Sequence, residues 1–338
     1  MEPDGNSSES EVAFEWPSVI RVYKDGRVER LFETDVVPPS TDPETGVSSK
    51  DVTIAVAAAA AATSEPPSHV VSTRLFLPKL TGSRKLPLLI YFHGGGFFVS
   101  SPFSAVYHGY LSAVVAKANV VAVSVNYRKA PEHPIPAAYE DSWAAIQWAA
   151  SHRDGDGPEA WLNEHADFGR VFLSGESAGA NIAHNMAMAA GNPERGLNIR
   201  LLGVALVHPY FWGSSPIGEE ALHPDRRADL EWIWPFVCPS TPDSNEPWIN
   251  PMADGAPSLA GLGCGRVLVC LAEKDLLRDR GRLYHEVLGR SGWTGAAEIM
   301  ETEREGHAFH LYDLGGQKAK DLIRRLAAFL DRDMPSRP

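Results

Sequence analysis

From about residue 70 onward, the chain alternates short, nearly continuous apolar runs with longer amphipathic stretches. Apolar runs rich in Val, Leu and Ile predict buried strands. They cover residues 74–77, 86–92, 120–125, 170–174, 201–207, 266–271 and 296–300. Helices are predicted between them at residues 107–118, 137–152, 178–190, 277–290 and 316–332. This alternation indicates an α/β fold whose mostly parallel sheet is buried on both faces, with a site at the carboxyl ends of the strands.

Two segments depart from this alternation. Residues 1–50 contain short strand patterns on either side of residues 24–27, which predicts a hairpin, and a loop rich in Pro, Ser and Thr follows. Residues 210–262 are rich in proline, with one short helix predicted at 228–236. We therefore expect a single α/β domain over the whole chain, in which 1–50 form an N-terminal cap segment and 210–262 a cap insertion that together set substrate size. The alanine-rich run at 57–62 is too short to hold a helix alone and predicts a loop.

Composition excludes several classes of protein. The chain has 338 residues, 44% apolar and 22% charged, which is typical of a folded globular protein. Its net charge is −12 and its basic residues do not cluster, so nucleic acid is not an expected partner. The first ten residues are acidic and polar, and no run of about 18 apolar residues occurs, so we expect no membrane span and a cytoplasmic location.

The cysteine pattern carries no metal or disulfide signature. Cys238, Cys264 and Cys270 are odd in number and include no C-x-x-C pair, which favours reduced, buried thiols over a disulfide framework or a zinc site. The glycines near residue 263 precede a strand and do not match the dinucleotide-binding pattern. We therefore expect neither a metal nor a cofactor.

A candidate nucleophile follows the strand predicted at 170–174. The sequence Gly175-Glu176-Ser177-Ala178-Gly179 has the form G-x-S-x-G and is followed directly by a predicted helix. A sharp turn from strand to helix needs small residues beside the serine, and it holds the hydroxyl exposed at the end of the sheet. The position of the pentapeptide therefore identifies Ser177 as the candidate nucleophile.

A glycine run follows the strand predicted at 86–92. It reads His93-Gly94-Gly95-Gly96-Phe97 and lies upstream of the serine turn. Acyl transfer builds negative charge on a carbonyl oxygen, and glycines let backbone N–H groups approach that oxygen closely. The run predicts an oxyanion hole from two N–H groups among Gly94, Gly95 and Gly96, completed by that of Ala178.

A serine nucleophile needs a base, and the base needs an orienting acid. Downstream of Ser177, Asp275 follows the strand predicted at 266–271, and His307 follows the last predicted strand. The order Ser, Asp, His is the one expected on such a sheet. Other possible acids or bases are Glu273, Asp279 and His310.

Aromatic residues are frequent after the glycine run and in the proline-rich insertion. Their position suggests an apolar pocket for the acyl or alcohol part of a substrate, and core packing is the alternative role. The candidates are Phe97, Phe98, Tyr210, Phe211, Trp212, Trp232 and Trp248.

At these motifs the chain resembles the plant carboxylesterases of the hormone-sensitive-lipase branch of the α/β hydrolases. The resemblance runs from the segment at 22–30 to Glu305-Gly306-His307, and it includes residues 126–141 and 208–213. It implies a serine esterase with Ser177, Asp275 and His307 as triad. We expect this esterase to act on small or medium apolar esters as a monomer or weak homodimer. The chain departs from the family at Lys129, where leucine is usual, and at the alanine run.

Two related groups suggest alternatives to ester hydrolysis. Gibberellin receptors lack the catalytic histidine and usually carry serine for the third glycine, whereas His307 and Gly96 are present here, so a receptor is the less favoured alternative. Hydroxyisoflavanone dehydratases use the same triad to remove water, and that reaction is kept as the alternative to ester hydrolysis. The sequence identifies neither the acyl and alcohol parts of the substrate nor the two glycines whose N–H groups donate to the oxyanion.

Overall fold

The computed structural model describes residues 11–32, 34–56 and 69–332. Its centre is an eight-stranded sheet. The strands are β4 (Ser48–Val56), β5 (His69–Leu77), β6 (Leu86–Phe92), β7 (Val121–Asn126), β8 (Ala166–Glu176), β9 (Leu201–Val207), β10 (Arg266–Ala272) and β11 (Ala296–Thr302). Their order across the sheet is β11-β10-β9-β8-β6-β7-β5-β4. Across the sheet from β7 through β6 to β11, neighbouring strands are parallel. Strand β5 is antiparallel to both of its neighbours, β7 and β4. The predicted mostly parallel sheet is confirmed.

Apolar sequence accounts for the central strands. Every residue of β9 and β10 is buried, as expected for strands covered on both faces. All seven predicted strands are present, and several extend beyond the apolar core of the run. Strand β4 was not predicted, because it is an edge strand with exposed positions such as Asp51 and Thr53 and lacks a continuous apolar run.

Helices cover the two faces of the sheet with separate apolar cores. The helices are α1 (Ala105–Ala118), α2 (Ala137–Ala150), α3 (Ala160–His165), α4 (Ala178–Gly191), α5 (Glu219–Leu222), α6 (Pro224–Glu231), α7 (Ile233–Val237), α8 (Arg278–Arg290), α9 (Phe309–Tyr312) and α10 (Gln317–Asp331). One core contains residues of α1 and α10, and the other contains residues of α2, α4 and α8. The five predicted helices are confirmed within two residues at each end, while the short helices α3, α5 and α9 were not predicted.

The insertion differs from the prediction in its helices. The single helix predicted at 228–236 is wrong, since α6 ends at Glu231 and α7 begins at Ile233. Pro235 explains the break, because it has no N–H to donate to the carbonyl of Glu231. The insertion thus carries three short α-helices instead of one.

The N-terminal segment forms a small antiparallel sheet of its own. Its strands are β1 (Val12–Trp16), β2 (Ile20–Tyr23) and β3 (Val28–Arg30), and the predicted hairpin joins the last two. Phe14 and Trp16 of β1 pack against the ring of Trp232 in the insertion, with ring centroids 5.0 Å apart in both pairs. The alanine-rich run at 57–62 lies outside the described residues. Within residues 11–32, 34–56 and 69–332, no helix has the length and apolar character needed to cross a membrane.

Candidate active site

Ser177 lies at the sharp turn between β8 and α4. Its backbone has φ 54° and ψ −117°, a conformation that costs a residue with a side chain about 1–3 kcal/mol. Two glycines make the turn possible. A Cβ atom at Gly175 would overlap the carbonyl of Gly179, and a Cβ atom at Gly179 would overlap the carbonyl of Phe92. The turn therefore presents the half-buried Ser177 at the end of the sheet for the reason that the sequence motif suggested.

His307 and Asp275 lie beside this serine. The Nε2 atom of His307 is 2.9 Å from Oγ of Ser177, and its Nδ1 atom is 2.7 Å from Oδ2 of Asp275. The other carboxylate oxygen of Asp275 accepts the N–H of Leu277 at 3.0 Å. Asp275 is 4% exposed. The carboxyl ends of β8, β10 and β11 thus bring the three predicted residues into one hydrogen-bonded chain.

The alternative acids and base make other contacts. Glu273 accepts the backbone N–H of Arg304. Asp279 accepts the N–H of Glu219 at 2.9 Å and pairs with Arg278. His310 is fully buried in α9, where its ring contacts that of Tyr110. The hydrogen bonds therefore favour Asp275 and His307 over these three residues.

The surrounding charges favour the protonated form of His307. Burial lowers the pKa of His307, but the charge and hydrogen bond of Asp275 and the charge of Glu176 outweigh it and raise the pKa to about 9. Burial raises the pKa of Asp275, but His307 outweighs that effect and holds the pKa below its usual value. Both shifts describe the same charge pairing, in which a carboxylate stabilises an imidazolium.

Glu176 is a residue of the site to which sequence reasoning assigned no role. It is 2% exposed, and its Oε1 atom lies 3.4 Å from Nε2 of His307. Its Oε2 atom accepts the hydroxyl of Tyr107 at 2.8 Å. The only sequence signal was its place as the first of the two variable residues of the G-x-S-x-G motif. A second carboxylate therefore faces the same histidine nitrogen that contacts the serine.

The three glycines of the oxyanion loop differ in their contacts. The N–H of Gly94 donates to the hydroxyl of Tyr107 at 2.9 Å. Gly95 and Gly96 are half-buried with φ of 92° and 60°. Among the described residues, the N–H groups of Gly95, Gly96 and Ala178 have no hydrogen-bond acceptor. These three N–H groups are available to a ligand, and that of Gly94 is not.

A cavity of about 600 Å³ opens over Ser177 and His307. Two of the aromatic residues proposed for the pocket, Phe98 and Tyr210, line it. Other apolar residues of its wall, including Trp16, Ile233 and Leu277, were not among the predicted ones. Arg226, Asp229 and Lys274 add charged groups to its wall.

Five of the seven predicted pocket aromatics do not line this cavity. Phe97, Phe211 and Trp212 are absent from the wall of this cavity and are buried in the apolar core. Trp232 packs behind Phe98, with ring centroids 5.8 Å apart. Trp248 lines a separate cavity. Apolar character placed these residues near the site but could not distinguish its wall from the core.

One group of side chains has the spacing of metal ligands. Glu176, His208 and His307 have ligand atoms within 4.8 Å of one another. However, Nδ1 of His208 accepts the N–H of Ala308 at 3.0 Å, and both ring nitrogens of His307 already contact Asp275 and Ser177. A metal bound here would displace Ser177 from His307, so the donor atoms fit proton transfer better than metal binding.

Comparison with known proteins points to the same chemistry. The family model for the alpha/beta hydrolase fold matches residues 89–311. Probable carboxylesterase 2 of Arabidopsis thaliana is 44% identical over 96% of this chain and 98% of its own length. The 2-hydroxyisoflavanone dehydratase of Glycine max is 46% identical over 95% of this chain and 99% of its own length. Among solved structures, a hyperthermophilic esterase of the archaeon Pyrobaculum calidifontis is similar, with a TM-score of 0.68, 27% identity and coverage of 83% of this chain and 84% of that one.

Proposed function

Because the chain belongs to the alpha/beta hydrolase fold family, we propose that it is a serine carboxylesterase that hydrolyses small or medium apolar carboxylic esters. The observation that carries this proposal is the hydrogen-bonded chain from Ser177 through His307 to Asp275, facing a largely apolar cavity. Such a chain activates a hydroxyl for attack on an ester carbonyl. The name of the Arabidopsis relative supports the same activity.

In the acylation step, Oγ of Ser177 attacks the carbonyl carbon and its proton passes to Nε2 of His307, 2.9 Å away. The carbonyl oxygen gains the electron pair of the C=O double bond. As this tetrahedral intermediate collapses, the ester C–O bond breaks and the alcohol leaves with the proton from His307. Asp275 holds the imidazole with its proton on Nδ1 and stabilises the charged form.

Water completes the cycle by attacking the acyl-serine. His307 removes a proton from this water, and the second tetrahedral intermediate collapses to release the carboxylic acid. The proton on His307 returns to Oγ of Ser177, so the enzyme is regenerated and the two half-reactions balance.

The proposed oxyanion donors are the N–H groups of Gly95, Gly96 and Ala178. Gly95 and Gly96 line the cavity together with Ser177, and Ala178 directly follows the serine. Removing one oxyanion donor costs about 100- to 1000-fold in kcat in serine hydrolases. Gly94 is the glycine we leave out, since its N–H already donates to Tyr107. The short distance from loop to serine is supported by the overlap that a Cβ atom at Gly179 would have with Phe92, directly before the loop.

The substrate preference is inferred from the cavity. Its wall comes from the N-terminal cap segment, the insertion and the loop after β10, represented by Trp16, Ile233 and Leu277. Apolar side chains over the serine bind an acyl or alcohol group and exclude water. We therefore expect small or medium apolar esters to be better substrates than highly polar ones.

A second candidate reaction is dehydration of a 2-hydroxyisoflavanone. The observation that favours it is the 46% identity to the Glycine max protein of that name. Elimination of water would use His307 as a base and the same N–H groups to stabilise an enolate, without an acyl-serine. Incubation with a 2-hydroxyisoflavanone, and analysis of the product by mass, separates this reaction from hydrolysis.

The decisive experiment is active-site labelling combined with an ester panel. A fluorophosphonate probe is expected to label the wild type at Ser177 and to leave Ser177→Ala unlabelled. The wild type is expected to hydrolyse nitrophenyl esters, and Ser177→Ala to fall by several orders of magnitude. Labelling at another serine would contradict the proposal. So would hydrolysis of every nitrophenyl ester at only the uncatalysed rate together with tight binding of a gibberellin.

Location and assembly complete the proposal. We place the protein in the cytoplasm as a monomer or weak homodimer, which is supported by three free cysteines, two of them buried, as in a reducing compartment. Cell fractionation and light scattering at micromolar concentration test these two statements.

A further inference from the structure

Arg30 reaches from the N-terminal sheet to the loop that carries the oxyanion glycines. It is the last residue of β3, and its side chain is 25% exposed. Its Nε atom donates to the carbonyl of Phe98 at 2.6 Å, and its Nη2 atom donates to the carbonyl of Ala130 at 3.0 Å. Both carboxylate oxygens of Glu132 accept from the same guanidinium, at 2.7 and 2.8 Å. One side chain thus binds three groups in two separate loops.

The first of these loops has an unusual backbone. Besides Gly95 and Gly96, two residues with side chains have positive φ, namely Phe97 at 70° and Ser100 at 66°. Such conformations persist only where surrounding contacts hold them. The N–H groups of Phe98 and Val99 both donate to the carbonyl of Gly95, at 3.0 and 2.9 Å. The carbonyl of Phe98, which accepts from Arg30, and the N–H of Val99 belong to one peptide group. This peptide group is therefore hydrogen-bonded directly to Gly95, one of the proposed oxyanion donors.

The second loop contacts the first. The N–H of Ala130 donates to the carbonyl of Phe97 at 3.1 Å, and the carbonyl of Ala130 accepts from Arg30. Arg30, Ala130, Phe97 and Phe98 thus form a closed ring of backbone and guanidinium hydrogen bonds. The planar guanidinium suits this role, because its donors are fixed in direction and can bind two carbonyls and a carboxylate at once.

We propose that Arg30 is a positioning residue, which holds the N–H groups of Gly95 and Gly96 in the geometry that stabilises the oxyanion. The inference rests on the proposed function, since it concerns the same oxyanion hole. It also gives the N-terminal segment a part in the rate of the reaction, in addition to lining the cavity. Arg30 does not touch the substrate and acts through the Phe98 peptide.

A positioning role has a kinetic signature. Oxyanion donors act as charge develops, so a small displacement weakens transition-state binding more than substrate binding. Loss of Arg30 is therefore expected to lower kcat with little change in KM. The affinity for a trifluoromethyl ketone, whose hydrated or serine-bound form places negative charge in the same hole, is expected to fall by the same factor as kcat/KM.

The test compares two arginines of the same small sheet. Arg30→Met removes all three contacts, and Arg30→Lys keeps the charge but loses the forked donors. Arg21→Met is the matched control, since Arg21 lies on the neighbouring strand β2, is 31% exposed and pairs with Glu15 and Glu29, away from the oxyanion loop. Rates for nitrophenyl butyrate are normalised to active sites titrated with a fluorophosphonate, which removes any unfolded fraction from the comparison.

We expect kcat to fall about 10- to 100-fold in Arg30→Met, with a smaller loss in Arg30→Lys and less than about a twofold change in Arg21→Met. Hydrogen exchange of residues 94–100, followed by mass spectrometry, is expected to accelerate in Arg30→Met only. This second readout needs no substrate, so it tests the loop even if the wild type hydrolyses no ester, a result that would count against the proposed function alone. Unchanged exchange in residues 94–100 in both Arg30 variants, or equal losses of kcat in Arg30→Met and Arg21→Met, would overturn the inference.

Discussion

The carboxylate of Glu176 fills the space that a side chain at Gly94 would need. A Cβ atom at Gly94 would overlap Oε2 of Glu176 and come within 2.7 Å of the hydroxyl of Tyr107. The first glycine of the run is therefore required to make room for a buried acid, whereas the next two are suited to donate N–H groups. Three consecutive glycines thus meet two different demands.

Gly94→Ala is expected to destabilise the fold by about 1–3 kcal/mol, as overpacking of a buried site does. Gly289→Ala is the control, since a Cβ atom there meets nothing within 4 Å. Urea unfolding gives the free energies. In a double-mutant cycle, Gly94→Ala with Glu176→Ala should lose less stability than the sum of the single variants, because the second change removes the nearest overlapping atom, Oε2 of Glu176. Additive losses would show that Glu176 is not the group that excludes a side chain at Gly94.

The pH dependence should report the carboxylates around His307. The base must be neutral to accept a proton, and a pKa of about 9 means that kcat/KM falls as pH drops below that value. Glu176→Gln removes one of the groups that raise this pKa, so its pH profile should shift toward lower pH. The exposed Glu286→Gln, whose carboxylate pairs with Arg290, should leave the profile unchanged. An acidic limb at the same pH in Glu176→Gln would contradict this reading of the 3.4 Å contact.

The same raised pKa has the opposite effect on stability. Folding raises the pKa of His307 from 6.5 to about 9, so its contribution to stability is present below pH 6.5 and is lost as pH rises through 9. Activity and this part of the stability should change in opposite directions across that range.

Asp275 and Asp279 can be separated by amide substitution. Asp275→Asn should lower kcat by about 10⁴-fold with little change in KM, because the interaction with the imidazolium matters most as charge develops. Asp279→Asn should be mild in kcat, since that carboxylate binds Arg278 and the N–H of Glu219 instead. Steady-state kinetics on one nitrophenyl ester suffices. If Asp279→Asn were the more damaging change, the orienting acid would have been assigned to the wrong residue.

A buried ion cluster should determine how firmly the insertion is attached. Glu220 is fully enclosed and binds Arg227 of the insertion and Arg280 of α8, each at 2.7 Å. Glu220→Gln leaves two buried arginines short of a counter-charge and is expected to cost about 3–5 kcal/mol. Glu231→Gln is the matched change, since Glu231 also pairs with Arg227 but is 54% exposed, and it should cost no more than about 1 kcal/mol. Similar unfolding midpoints in urea for the two variants would be evidence against a stabilising role of the cluster.

Trp16 should limit the length of the acyl chain. It lines the cavity, whereas Phe14 of the same strand packs against Trp232 and Phe236 outside it. Trp16→Ala enlarges the cavity, so the ratio of kcat/KM for decanoate to that for acetate esters should rise. Phe14→Ala removes a similar aromatic contact and should leave this ratio near that of the wild type. The same increase in both variants would indicate a general loosening of the cap.

Sequence patterns are most informative where the proposed chemistry is local. Ser177 and the glycine loop each follow a strongly apolar strand, so a short pattern located both. Sequence analysis did not predict a role for Glu176, because the second position of the G-x-S-x-G motif has no fixed residue type and only the fold places it beside His307. It missed the contacts of Arg30, because the carbonyls of Phe98 and Ala130 lie 68 and 100 residues away along the chain. Such contacts depend on how the small sheet docks, which no periodicity describes.

The aromatic residues show a different limit of sequence reasoning. Trp212 and Phe98 have similar apolar surroundings in sequence, yet Trp212 is fully buried under Arg227 and Phe98 lines the cavity. The apolar character of a side chain predicts that it is buried away from water. It does not predict whether the neighbouring space is filled by another side chain or left for a ligand.

The pairing of Trp16 with Trp232 also sets the order in which the molecule can be completed on the ribosome. The two rings are separated by roughly 200 residues of chain, and synthesis at about 5–20 residues per second leaves an interval of about 10–40 s between them. During that time the apolar face of β1 has no partner from the insertion and presents Phe14 and Trp16 to other nascent chains or to chaperones. The cavity over Ser177 is therefore closed late, after Ser177 has been synthesised. Conditions that slow translation past Ser177 should increase aggregation of this protein.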